Sequence, residues 1–261
     1  MAKTGNPAHR QPKAYQDTRF LQSKDARALR ILAEYLEPLY RFQRHNIQDT
    51  IVFMGSARLL SEEAATAALA KAKRTGQGIE AAQTALELSI YYEAARELAR
   101  RLTAWSKKLD REERRFVVCT GGGPGIMEAG NRGAQAGGTT SIGCTIELHV
   151  HEPPNHYLGI ALVFPGGFGT LDELFEALVL VQTKKVSHFP IILYDSTYWG
   201  GLMHWIRETL LASDKIQPQD VALLLLSDEP QEICHIVMEA YQEHCAQAPQ
   251  YAMTYQEPCI R

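Results

Sequence analysis

Residues 161–173 read ALVFPGGFGTLDE, an apolar run that enters a glycine-rich turn and continues as a helical pattern. A second stretch of the same design, FVVCTGGGPGIME, occupies residues 116–128. Short apolar runs bounded by turn residues are typical of buried strands. Glycines between a strand and a helix let the chain turn sharply and bring bare backbone close to a ligand. Two such units predict a parallel sheet that binds its ligand at the carboxyl ends of the strands.

The surrounding chain alternates between strand-like and helix-like segments. The runs that predict strands are Thr50–Met54, Arg115–Thr120, Thr140–Ile146, Ile160–Phe164, Phe189–Tyr194 and Val221–Leu226. The stretches with a helical pattern are Pro124–Ala136, Thr170–Gln182, Trp199–Ala212 and Glu229–His244. Continuous apolar strands separated by helices indicate a parallel sheet covered on both faces. The predicted fold class is therefore α/β, a Rossmann-like doubly wound parallel sheet of about six strands with an N-terminal helical extension.

Composition divides the chain into further segments. We predict a mobile tail over residues 1–22 and an N-terminal helix over residues 23–49, capped by Ser23 and kinked at Pro38. Residues 50–245 form the predicted nucleotide-binding domain, which carries a helical insertion over residues 59–110. Residues 246–261 read as a second tail.

Charge and composition exclude several classes of protein. The 261 residues include 27 Lys and Arg against 30 Asp and Glu, a net charge of −3, and general nucleic-acid binding needs a basic surplus. The apolar runs are far shorter than the roughly 20 residues that span a bilayer, and the N-terminus lacks a secretory pattern. The five cysteines form no C-x-x-C pair. These features predict a reduced cytoplasmic protein without disulfides, metal or cofactor, whose partner is a small molecule and neither a nucleic acid nor a membrane.

The glycine clusters do not follow the common nucleotide fingerprints. Neither fits G-x-G-x-x-G, and the chain contains neither a G-K-[ST] loop nor a G-x-S-x-G elbow. Backbone N–H groups at a helix start nevertheless suit a phosphate. The spacing of Thr170 and Glu173 also fits a capping box, so a structural role for these two residues stays open beside a ligand role.

The sequence resembles the LOG (Lonely Guy) family in two runs, PGGFGTLDE at residues 165–173 and GGGPGIME at residues 121–128. Proteins of that family often carry the label "lysine decarboxylase-like", but no lysine here lies in a recognisable pyridoxal phosphate setting. The resemblance extends from about residue 50 to residue 205. It implies a homodimeric or larger phosphoribohydrolase that splits a nucleoside 5′-monophosphate, such as AMP or a cytokinin ribotide, into free base and ribose 5-phosphate.

The resemblance also implies a role for each site residue. Glu173 would be the catalytic carboxylate, because cleavage of an N-ribosidic bond passes through an oxocarbenium-like sugar that a carboxylate stabilises. The residues that would hold the 5′-phosphate are Gly166, Gly167, Gly169 and Thr170. The residues that would lie beside the ribose and nucleotide are Gly55, Ser56, Arg58, Gly121, Gly122, Gly123, Gly125 and Glu128.

One segment departs from the family pattern. The family carries an Arg-Lys pair before the PGG strand, whereas residues 148–159 contain neither arginine nor lysine. Either the stretch that bears the arginine is absent from this sequence, or the protein has lost it and is an impaired nucleotide- or phosphate-binding carrier or sensor. The histidines of this segment, His149, His151 and His156, are better explained by a solvated loop than by a metal site. The aromatic residues expected in the core or an interface are Phe175, Tyr198, Trp199 and Trp205.

Overall fold

A computed structural model describes residues 12–109, 114–144, 158–186 and 189–251. Its six strands form one sheet in the order β3-β2-β1-β4-β5-β6, and every neighbouring pair is parallel. This is the order of the doubly wound Rossmann sheet, which confirms the predicted fold class. The three histidines at residues 149–156 and most of the segment without arginine lie outside the described residues.

The elements alternate along the chain as the sequence indicates. The strands are β1 (Thr50–Met54), β2 (Val117–Thr120), β3 (Ile142–Gly143), β4 (Leu158–Val163), β5 (Ile191–Tyr194) and β6 (Leu224–Ser227). The helices are α1 (Thr18–Leu21), α2 (Arg27–Arg44), α3 (Glu62–Thr75), α4 (Ile79–Ser106), α5 (Ile126–Ala136), α6 (Phe168–Gln182), α7 (Ser196–Trp205), α8 (Pro218–Val221) and α9 (Pro230–Tyr251). A π-helical segment, Ile206–Leu211, continues α7.

Alternate residues of each central strand enter two separate cores. In β1, Ile51 and Phe53 join the core that α4, α5 and α9 cover. Met54 points to the other face and joins the core that α6 and α7 cover. The connections from β1 and from β4 therefore leave on opposite faces of the sheet. Because β1 and β4 are neighbours, the crevice at their carboxyl ends is the position where doubly wound sheets bind ligands.

Several element boundaries differ from the sequence predictions: α1 lies within the predicted tail over residues 1–22, and α2 ends at Arg44 although the N-terminal helix was predicted to reach residue 49. Helix α2 begins at Arg27, and Ser23 does not cap it, because the chain still turns between Ser23 and Ala26. Pro38 lies inside α2, and the predicted kink there stays a prediction. Helix α9 continues to Tyr251, past the predicted start of a tail at residue 246.

The chain divides into two compact units, residues 1–46 and residues 47–261. Within the first unit, the Arg30 guanidinium of α2 donates hydrogen bonds to the carbonyl oxygens of Leu21 and Ser23, at 2.6 and 2.7 Å. The apolar stripe of α2 is largely exposed, as the accessible surfaces of Leu32 (52%) and Tyr40 (59%) indicate. Among the described residues, no helix is long and apolar enough to cross a bilayer.

Candidate functional site

Three loops meet at the carboxyl edge of the sheet, after β1, β2 and β4. The backbone N–H of Ser56, after β1, donates to the Pro165 carbonyl after β4 at 3.1 Å. The Ser56 carbonyl in turn accepts from the N–H of Ile126, the first residue of α5, at 3.2 Å. One residue therefore links the two glycine clusters. The structure brings both clusters to the carboxyl edge of the sheet, and we call the three loops after β1, β2 and β4 the rim.

The fold itself accounts for Gly125 of the first cluster. Gly125 has φ +69°, and a Cβ there would lie 2.2 Å from the Ser56 carbonyl oxygen. Cβ atoms at Gly121 and Gly123 would meet the Met127 side chain at 3.0 and 2.7 Å. The contact with backbone and the positive φ thus require glycine at position 125, whether or not a ligand lies beside it, whereas the flexible end of the Met127 side chain could move away from a Cβ at position 121 or 123.

Gly122 and Gly55 also have local structural roles. The N–H of Gly122 donates to the Thr120 hydroxyl at 3.0 Å, which fixes the start of the turn after β2. A Cβ at Gly55 would lie 2.7 Å from Ile126 Cγ1. Both residues therefore hold the rim together at the positions where the resemblance places the nucleotide.

Helix α6 begins earlier than the sequence predicts. Gly167 is its N-cap, and its carbonyl accepts the first helical bond from the N–H of Leu171 at 3.1 Å. Thr170 lies inside the first turn and is buried, with 5% of its surface accessible. The predicted capping box of Thr170 and Glu173 is therefore wrong, because the cap position belongs to Gly167. No side chain among the described residues caps α6.

The glycines of the second cluster fall into two kinds. A Cβ at Gly166 would lie 2.1 Å from the Thr170 hydroxyl oxygen, so this glycine is required by packing. A Cβ at Gly167 or Gly169 would meet nothing within 4 Å, and neither residue has a positive φ. The fold does not explain these two glycines. They leave bare backbone beside the first turn of α6, where the free N–H groups favour an anion.

Glu173 lies on α6 four residues after Gly169, so both residues are on the same side of the helix, one turn apart. Glu173 retains exposed surface. Even so, desolvation of its carboxyl group raises its pKa, and the negative charges of Asp172 and Glu176 raise it further. No hydrogen bond or ion pair of Glu173 is present among the described residues. An ionisable group with a shifted pKa beside the carboxyl edge of such a sheet is typical of functional sites.

The raised pKa of Glu173 predicts a pH-dependent effect on stability. A carboxyl group that binds its proton more tightly in the folded state destabilises the fold once it ionises, and this cost vanishes below the unfolded-state pKa of about 4.3. We therefore expect Glu173→Gln to raise the melting temperature at pH 7 and to leave it unchanged near pH 3. Calorimetry at both pH values measures this. Glu239→Gln, at an exposed position in α9, is the control, and an equal gain in both variants would contradict the prediction.

Two of the predicted site residues, Gly125 and Glu128, line a groove beside the start of α5. Glu128 forms an ion pair with Arg132 at 3.6 Å, and Arg132 donates to the Tyr92 hydroxyl at 3.2 Å. Glu128, Arg132 and Gly125 line a groove of about 390 Å³ between α3 and α5. Glu173 and the second glycine cluster do not line this groove.

Arg58 lies near the rim without an ion pair among the described residues. It is exposed, and its backbone N–H donates to the Ser56 hydroxyl at 3.1 Å. Of the aromatic residues expected in the core or an interface, Trp199 is buried, whereas Phe175 keeps 36% of its surface accessible and Tyr198 and Trp205 each keep 47%. The described residues contain no cluster of His, Cys, Asp or Glu that could hold a metal ion.

Sequence reasoning missed one contact to the second glycine cluster. The Tyr198 hydroxyl of α7 donates to the Gly166 carbonyl at 2.5 Å. The two residues are 32 positions apart, and no local pattern marks such a pair. An exposed tyrosine in the first turn after the next strand is the only feature that could have suggested it.

A comparison with known protein families gives a match that begins in β4, just before the second glycine cluster, and ends in α9. Residues 160–237 match the family model described as "Possible lysine decarboxylase". The match covers less than a third of the chain and includes α6 with Glu173. It confirms the resemblance to the LOG family, which carries this label. No curated protein matches the sequence.

Proposed function

We propose that the protein is a phosphoribohydrolase of the LOG type, which hydrolyses the N-glycosidic bond of a nucleoside 5′-monophosphate. AMP or a cytokinin ribotide would react with water to give the free base and ribose 5-phosphate. The family match over residues 160–237 supports the class of reaction. The single observation that carries the proposal is the arrangement on α6, where an uncapped first turn with two open glycines precedes Glu173 by one turn.

The spacing on α6 suits a ribose 5-phosphate unit. A phosphate bound to the N–H groups of the first turn is stabilised by those donors and by the helix dipole. One helical turn rises about 5.4 Å, a length comparable to the span from the phosphorus to the anomeric carbon of one ribose. A phosphate at Gly169 thus allows the sugar to reach Glu173. Binding energy at the phosphate then helps to hold the sugar in a reactive position.

Glu173 would act on the sugar rather than on the base. The ribose develops positive charge as the bond to the base breaks, and an adjacent carboxylate stabilises this charge. The same group can orient the attacking water or accept its proton. Its raised pKa brings it closer to neutrality, where proton exchange is efficient. The group that protonates the leaving base is not assigned to a described residue.

The direct test is incubation of the full chain with AMP, followed by chromatography for adenine and an assay for ribose 5-phosphate. Release of both in equal amounts supports the proposal. Calorimetric binding of AMP without release would favour the alternative, a carrier or sensor of nucleotides, which the absence of arginine in residues 148–159 motivates. Absence of both binding and release would exclude a nucleotide site.

Gly169→Ala tests the phosphate role separately from folding. The new methyl group meets no atom outside the helix's own backbone within 4 Å, and alanine favours a helix more than glycine does, so we expect a melting temperature equal to or slightly above that of the unaltered protein. It would occupy the space beside the N–H groups that hold the phosphate. We expect the Kd for ribose 5-phosphate to rise about tenfold, or ~1.4 kcal/mol, measured by isothermal titration calorimetry.

The matched control is Gly201→Ala in α7, a glycine that also has open space around its Cβ position. We expect this variant to bind ribose 5-phosphate like the unaltered protein. Equal affinity in the Gly169→Ala variant would show that the open glycine does not contact the phosphate.

A further inference from the structure

The turn after β4 is held by a side chain from another element. The Tyr198 hydroxyl donates to the Gly166 carbonyl at 2.5 Å, from the first turn of α7. Because the peptide unit is planar and trans, the carbonyl of Gly166 and the N–H of Gly167 point in opposite directions. A hydrogen bond that fixes the carbonyl therefore also fixes the direction of the Gly167 N–H.

This orientation matters for an anion at the start of α6. The N–H of Gly167 and those of the next three residues have no helical acceptor. If the peptide unit rotated, the carbonyl oxygen of Gly166, which carries partial negative charge, would move toward the anion. The hydrogen bond from Tyr198 keeps this oxygen occupied on the side of α7.

The start of α7 is rigid enough to act in this way. Its N-cap, Asp195, accepts from the N–H of Thr197 at 2.9 Å and from the Tyr91 hydroxyl. Ser196 donates to the Asp228 carboxylate through both its N–H and its hydroxyl, at 2.5 and 2.7 Å. These bonds anchor both sides of the first turn, so the Tyr198 hydroxyl reaches Gly166 from a fixed support.

The ring of Tyr198 also makes an aromatic contact, although 47% of the residue's surface remains accessible. It contacts the buried Trp199 ring edge to face, with centroids 4.9 Å apart. Desolvation, followed by the hydrogen bond to Asp195, raises the pKa of Tyr91 to about 12, so Tyr91 remains a donor to Asp195 at neutral pH. Two tyrosines thus stabilise consecutive parts of this edge, one at the α7 cap and one at the glycine turn.

We propose that Tyr198 is a positioning residue for the phosphate group of the ligand, acting through the Gly166–Gly167 peptide unit. This inference rests on the proposed function for the identity of the ligand. Tyr198 does not need to touch the reacting atoms. Its removal should weaken every ligand that places a phosphate at α6, and should leave the chemical step unchanged.

The test is Tyr198→Phe in the full chain, which removes only the hydroxyl oxygen. We expect the Kd for ribose 5-phosphate and the KM for AMP each to rise about five- to tenfold, the usual effect of losing one hydrogen bond. We expect kcat to stay within about twofold, since a group that binds substrate and transition state equally alters KM alone. The melting temperature of each variant is measured in parallel.

Tyr194→Phe is the matched control. Tyr194 ends β5 near the same edge, and the described residues supply no hydrogen-bond partner for its hydroxyl. We expect its Kd and KM to equal those of the unaltered protein. An unchanged Kd in Tyr198→Phe, or equal losses in both variants, would overturn the positioning role.

The outcomes separate this inference from the proposed function. If the unaltered protein binds ribose 5-phosphate and Tyr198→Phe binds it more weakly, the positioning role stands even if AMP is not hydrolysed. In that case the hydrolase proposal alone fails. If the unaltered protein binds neither ribose 5-phosphate nor AMP, there is no phosphate for Tyr198 to position, and the inference is overturned.

Discussion

Replacement of Glu173 with glutamine is expected to lower kcat for AMP hydrolysis by about 10²- to 10⁴-fold, the usual contribution of a positioned acid or base. This corresponds to about 3 to 5 kcal/mol of transition-state stabilisation. The amide has nearly the same shape as the carboxylate, but it can neither neutralise the oxocarbenium charge nor accept a proton. The binding of ribose 5-phosphate should change little, because the N–H groups of α6 remain in place.

The measurement is the steady-state rate of adenine release, with Kd obtained by calorimetry on the same preparations. Glu176→Gln is the control, since this residue lies one turn further along α6 and its negative charge contributes to the raised pKa of Glu173. We expect its kcat to stay within about fivefold. A Glu173→Gln variant that retains the full rate would remove the carboxylate from the mechanism and leave the phosphate site without a catalytic group.

Gly125→Ala is expected to give the largest loss of stability among variants of the rim. Gly125 has φ +69°, and a Cβ there would lie 2.2 Å from a backbone oxygen and 2.8 Å from the Ala57 backbone. Strain at such a φ and overpacking against backbone each cost about 1–3 kcal/mol. We expect a loss of about 3 kcal/mol or more, or a melting temperature lower by about 6–12 °C.

The comparison is Gly76→Ala, at the end of α3. Gly76 has a similar φ of +71°, but a Cβ there meets nothing within 4 Å. Its cost should be that of the left-handed conformation alone, about 1–2 kcal/mol. Thermal unfolding of both variants measures the difference, which is due to contact with the Ser56 loop. Equal losses would mean that this loop moves aside freely.

The sequence was sufficient for the fold class because the central strands carry strong local signals. The bounds of β1, Thr50–Met54, agree with the prediction because apolar residues end abruptly at Gly55. The start of α6 was not predictable in the same way. Thr170 has a better capping side chain than Gly167, but packing of Thr170 against Gly166 buries it inside the first turn. Thr170 and Gly167 were both acceptable N-caps by local sequence. The start of α6 is determined by the tertiary packing of Thr170, which residue spacing does not predict.

In the candidate site, too, features within one short segment were predictable from sequence, whereas contacts between segments far apart in the chain were not. The glycine clusters and Glu173 were visible as motifs, because each lies within one strand-turn-helix unit. The roles of individual glycines were not: Gly125 and Gly166 are required by packing, whereas Gly167 and Gly169 are not. The tyrosine bonds to Gly166 and Asp195 span 32 and 104 residues, and therefore depend on the order of the strands.

The backbone of Ser56 connects the turn after β4 to the start of α5. Both of its bonds use backbone groups, the N–H toward Pro165 and the carbonyl toward Ile126. Exchange of the serine side chain therefore preserves the link, whereas proline at this position would sever its donor half. A displacement of the turn after β4 is therefore transmitted through backbone atoms of residue 56 to the first residue of α5.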